Sequence, residues 1–72
     1  MSKYNALWTY VHESGQPQLT LTFDEIGRIA GVPPDHAFLK YKKELRNYGY
    51  EVVKISMKTQ TVLFTKLQEE NL

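Results

Sequence analysis

Apolar positions recur along this chain with helical spacing in three places and with strand spacing in three. Tyr4, Leu7, Trp8 and Val11 lie on one helical face, which predicts a helix over Lys3–Ser14, ended by Gly15-Gln16-Pro17. Leu19-Thr20-Leu21-Thr22-Phe23 alternates apolar and polar, the period of a short half-buried strand. A second helix start follows. Thr22 and Glu25 have capping-box spacing, and Leu21 and Ile26 suit a hydrophobic staple around it. Ile26, Ile29 and Ala30 form its inward face, and Gly31 supplies the residue best able to close it.

Pro33 and Pro34 forbid a continuous helix, because Pro34 pushes Pro33 out of the helical region. Pro34 suits the first position of a new helix, and Asp35 suits its first turn. That helix is expected to run to about Tyr48 and to be closed by Gly49. At about 100° per residue, Phe38, Tyr41, Leu45 and Tyr48 share one face, while His36, Lys40, Lys43 and Asn47 occupy a narrow arc on the far side. Leu39, Lys42 and Arg46 form a second exposed row beside it. The remaining pattern reads as a β-hairpin over Glu51–Lys58 and Thr61–Leu67. Val53, Ile55 and Met57 lie on one side of its first strand, and Val62 and Phe64 on one side of its second. A two-residue turn at Thr59-Gln60 would pair Met57 with Val62 and Ile55 with Phe64. The Asn-Gly signal of tight hairpins is absent there, which leaves a longer loop open.

The order helix, strand, helix, helix, strand, strand is that of an α/β (α+β) winged helix-turn-helix with a C-terminal hairpin wing. At 72 residues the chain is one domain, 1–72, with 68–72 read as a frayed end. A composition of 42% hydrophobic and 24% charged residues is that of an ordinary folded domain. The chain has no cysteine, which excludes disulfides and thiolate metal sites. No apolar run approaches the ~20 residues of a membrane span, and Met1-Ser2-Lys3 leads into an amphipathic pattern rather than a signal peptide. The expectation is a cytoplasmic protein.

A net charge of +1 does not by itself point to nucleic acid, so the placement of the charges has to. Between His36 and Asn47 three lysines and one arginine face one glutamate, and between Val52 and Leu67 there are three lysines and no acid. Lysine and arginine neutralise phosphates and release counterions. Arg46 and Asn47 have the donor geometry to reach base edges, and His36 and Lys40 to reach bases or phosphates. Because the cations sit toward the middle and end of the helix, the pattern resembles phosphate anchoring more than base reading. The predicted contacts to double-stranded DNA are therefore His36, Lys40, Lys42, Lys43, Arg46 and Asn47 on the helix, with Lys58, Thr59 and Gln60 on the wing. The plain alternative is a solvated helix face, and it is the topology that favours DNA. Leu39, Tyr10 or the hairpin edge would serve a protein partner instead. Most of the aromatic residues fall on inward faces and read as core; Tyr10 is the exception, and Tyr50 is expected to be half exposed.

Catalysis finds no constellation. His12 and His36 are the only histidines, Glu25 is engaged as a cap, and Asp24 suits the helix start, so no acid/base pair or metal site is formed. No cofactor is expected.

Two resemblances add to this reading. Phe23-Asp24-Glu25-Ile26-Gly27-Arg28-Ile29-Ala30-Gly31-Val32, followed by Lys42-Lys43-Glu44-Leu45-Arg46-Asn47-Tyr48-Gly49-Tyr50-Glu51-Val52, resembles the winged helix-turn-helix of biotin-repressor-type regulators, over roughly half of the chain. The resemblance implies DNA contact through His36, Lys40, Lys43 and Asn47, with Lys58 and Thr59 in the wing. It departs from that family at Pro33-Pro34-Asp35 and at Lys58-Thr59-Gln60-Thr61. Lys3-Tyr4, Leu7, Tyr10-Val11, Leu21-Thr22-Phe23, Glu25-Ile26, Gly31 and Pro34 are similar to a family of small uncharacterised bacterial domains, without the tryptophan pair expected after Pro34. A small bacterial or phage transcriptional regulator, possible as a homodimer on a palindromic site, is the resulting expectation.

Overall fold

The computed structural model describes residues 3–32 and 34–67, apart from the side chain of His36. Pro33 and the predicted frayed end at 68–72 lie outside the described residues. The order is α1 (Asn5–Ser14), β1 (Gln18–Thr22), α2 (Phe23–Ala30), α3 (His36–Tyr41), a 3₁₀ helix (Lys42–Tyr48), β2 (Tyr50–Ser56) and β3 (Thr61–Lys66). The architecture is α+β, three α-helices against a three-stranded antiparallel sheet of order β1-β3-β2.

The inward face of α1 lies as its spacing predicts, with Tyr4, Leu7, Trp8 and Val11 all buried. Tyr4 and Trp8 pack on Phe38 of α3, with ring centroids 5.3 and 5.8 Å away. Such ring pairs add to what burial alone contributes. Ile26, Leu45, Val62 and Phe64 complete the same core from α2, the 3₁₀ helix and β3. The capping box is complete: Thr22 Oγ1 accepts from the Glu25 N–H at 3.0 Å, and Glu25 Oε1 accepts from the Thr22 N–H at 2.8 Å.

The helix starting near Pro34 differs from expectation in two respects. Asp35, expected in the first turn, is the N-cap; its carboxylate accepts from the Ala37 N–H at 2.9 Å, and Pro34 stands before the cap rather than inside the helix. The α-helix also ends at Tyr41 and continues as a 3₁₀ helix to Gly49. With about three residues per turn, positions three apart eclipse one another. Lys42, Leu45 and Tyr48 thus share a row and are half-buried, buried and half-buried. Lys43 and Arg46 share another and are exposed. Lys42, expected on an outer row, is drawn inward by this change of period.

The hairpin register also differs. Ile55 pairs with Val62 and Ser56 with Thr61, leaving Met57–Gln60 as a four-residue loop rather than a two-residue turn. A bulge between Val52 and Lys54 puts one extra residue into β2. Val52 and Ile55 pack against the core, while Val53 and Met57, expected inward, are 53% and 74% exposed. Gln60 closes the loop at φ 57°, a left-handed conformation costing a non-glycine residue about 1 kcal/mol. A hydrogen bond from the Phe23 N–H to the Gln60 carbonyl, 2.8 Å, holds that loop to the start of α2.

Candidate nucleic-acid interface

α1 lies alongside the third helical segment, start to start and end to end, and this turns the lysines outward. At the start, Asp35 accepts from Lys3 Nζ and from the Tyr4 hydroxyl, both at 3.1 Å. Midway, Trp8 Nε1 donates to Glu44 at 3.2 Å. At the end, His12 Nδ1 stands 2.9 Å from the Tyr48 carbonyl. A carbonyl only accepts, so Nδ1 carries the proton there. Aromatic rings and these bonds occupy the inner side of the segment, and Lys40, Lys43, Arg46 and Asn47 are exposed on its outer side.

Lys40 and Lys43 make no ion pair among the described residues; Lys40 Nζ lies 5.7 Å from the centre of the Tyr41 ring. Arg46 is paired with Glu51 at 3.4 Å, in a shallow depression of 150 Å³ shared with Lys42, Lys43 and Val52. Both partners of that pair are exposed, so it contributes little to stability. It nonetheless offsets one cation at the end of the row. Asn47 falls in the 3₁₀ row of Glu44 rather than that of Lys43, which separates it from the cations it was grouped with. The side chain of His36 lies outside the described residues.

Lys58, Thr59 and Gln60 are all exposed on the hairpin loop. The Thr59 N–H donates to Ser56 Oγ at 3.3 Å, and the Thr59 and Thr61 hydroxyls are 2.8 Å apart. Thr59 and Gln60 line a depression with Thr22, Phe23 and Asp24, so an acid sits beside the loop tip. The loop rests against α2 rather than standing clear of the domain.

Between α3 and this loop lies a feature that the pattern did not reveal. Phe23, Pro34, Asp35, Phe38, Leu39, Ile55 and Met57 line an open apolar groove of 360 Å³. Leu39 is 55% exposed and Met57 74%. Leu39 was legible as an exposed apolar residue; Met57 was not, because its place depends on the bulge and the loop length. The groove's one carboxylate, Asp35, is held below the usual carboxylate range, first by its hydrogen bond from Lys3, against burial as the next largest effect, with lesser help from the Tyr4 hydroxyl and the Ala37 N–H.

Among the described residues no three His, Asp or Glu side chains gather as a metal site, and no helix is long and apolar enough to cross a membrane. Comparisons with protein-family models, curated proteins and solved structures gave no match.

Proposed function

We propose that this chain is a non-enzymatic winged helix-turn-helix domain that binds double-stranded DNA as a small bacterial or phage regulator in the cytoplasm. In this reading α2 and α3 form the helix pair, the 3₁₀ helix prolongs the recognition helix, and β2 and β3 form the wing. The observation that carries it is the row Lys40, Lys43, Arg46: three cations at three-residue steps, exposed, on a segment whose other side is fixed by Tyr4, Trp8 and Phe38. A rigid cationic row of this kind suits a track of phosphates. Lys58 extends the same charge onto the hairpin loop. Two copies on a palindrome would raise the affinity of so small an interface.

The test is a titration against random-sequence duplex DNA at two salt concentrations. Affinity falls steeply with salt, and replacing Lys40 and Lys43 by alanine lowers the slope of log K against log salt by roughly 0.9 for each phosphate no longer neutralised. Absence of binding at low salt overturns the reading. The second reading, a protein-interaction module on the same scaffold, is favoured by the apolar groove; it requires a protein ligand whose binding is lost when Leu39 or Met57 is made charged.

A further inference from the structure

We infer that the groove between α3 and the hairpin loop takes the thymine edge of duplex DNA, with Leu39 and Met57 in contact with the C5-methyl group; this rests on the DNA-binding reading above. The start of the third helical segment offers no free polar reader among the described side chains. The Asp35 carboxylate, the natural acceptor for a cytosine amino group, already accepts from Lys3, Tyr4 and the Ala37 N–H at 2.9–3.1 Å. What the segment does present there is Leu39, and across the groove Met57, at 55% and 74% exposure.

The surroundings of the groove fix the chemistry of its occupant. Lys40 follows Leu39 in the chain and Lys58 follows Met57; both lysines are exposed and without an ion pair among the described residues. Asp35, the single acid lining the groove, is already paired with Lys3. An apolar floor whose two exposed side chains, Leu39 and Met57, are each followed in the chain by an exposed lysine suits a ligand with an apolar group beside anionic groups. In duplex DNA that group is the thymine methyl, displayed in the major groove between the phosphate backbones. An acidic amphipathic protein segment has the same two elements. Lys43, however, carries exposed positive charge on along the helix beyond the groove, where a segment filling the groove alone leaves it unmatched and a phosphate backbone does not; Arg46, further on, is already paired with Glu51.

The probe is a pair of alternating copolymer duplexes, one of adenine and thymine, the other of adenine and uracil, which differ only in the methyl group. A second pair, guanine with cytosine against guanine with 5-methylcytosine, restores a methyl at the same place in the major groove. The full chain binds the methylated member of each pair about fourfold more tightly per methyl bound, the value of one buried carbon. Leu39→Ala abolishes this preference and keeps the salt dependence; Met57→Ala, on an exposed loop, reduces it. The Lys40→Ala, Lys43→Ala variant does the reverse, keeping the preference and losing salt slope. Salt-dependent binding with no methyl preference overturns the inference and leaves the DNA reading standing. No binding to any duplex at low salt overturns both, and displacement of the Leu39 and Met57 methyl NMR signals by an acidic amphipathic peptide would then assign the groove to a protein.

Discussion

Two grooves of equal volume, 360 Å³ each, lie at opposite ends of the hairpin, and they are built on opposite terms. The one at the Gly49 end is lined by His12, Tyr48, Gly49, Tyr50, Lys66 and Leu67. Its polar atoms are largely occupied within the fold. The Tyr50 hydroxyl donates to the Gln16 carbonyl at 2.6 Å, the Tyr48 hydroxyl to Asn5 at 2.5 Å, and the Leu67 N–H to the Gly49 carbonyl at 2.8 Å. Tyr50, expected half exposed, is buried for this reason: its ring completes the core and its hydroxyl still finds an acceptor. The groove at the loop end is lined mainly by carbon, and two of its apolar side chains face water. Volume therefore does not distinguish the two. One end uses its side chains to close the fold, and the other leaves apolar surface facing water, with Lys40 and Lys58, which make no ion pair among the described residues, next in the chain to its two exposed side chains.

The largest expected effect lies in the core beneath the loop end. Trp8, 1% exposed, packs on Phe38, which lines the loop-end groove. Trp8→Ala is expected to cost about 3–5 kcal/mol. Against a total stability on the order of 5 kcal/mol for so small a domain, the variant is largely unfolded by circular dichroism. At the Gly49 end, Tyr50→Phe removes the donor to the Gln16 carbonyl and lowers stability by about 1 kcal/mol, read as a lower urea midpoint at unchanged slope. Thr22→Ala, beside the loop end, removes one half of the capping box and costs about 1 kcal/mol. A cost near zero for Tyr50→Phe would remove the distinction drawn between the two ends.

A further effect appears as pH dependence at the start of α1. The Asp35 carboxyl is held below 3.8, so its contribution is present above that pH and is lost as pH falls through the lower folded value. Asp35→Asn flattens this acid limb of an unfolding profile. The Tyr4 hydroxyl is pushed up from 10.0 to about 12, by burial first and by Asp35 second. Its contribution is complete below pH 10 and is lost as pH rises toward 12. The smallest expected effect is at the loop end itself. Met57→Lys changes stability by no more than about 0.5 kcal/mol, since the side chain is 74% exposed. A larger loss would mean that Met57 serves the fold and not a ligand.

Period and punctuation were enough, in the sequence alone, to place the elements. The helical face of Tyr4, Leu7, Trp8 and Val11, the Thr22–Glu25 capping box and the stop at Gly31 rest on interactions between near neighbours in the chain, and these, like the alternating row of Val62 and Phe64, lie where their pattern put them. Tertiary packing decided the rest. The change from α to 3₁₀ at Lys42 draws that lysine inward and regroups the cations, while the bulge at Val53 and the four-residue loop bring Met57 out opposite Leu39. None of this is written in local periodicity, because a one-residue slip in a strand or a small change of helical pitch costs little locally. Such shifts are settled by which arrangement fills the core with Tyr4, Trp8, Phe38 and Tyr50 while leaving no buried side-chain polar atom of the described residues unbonded.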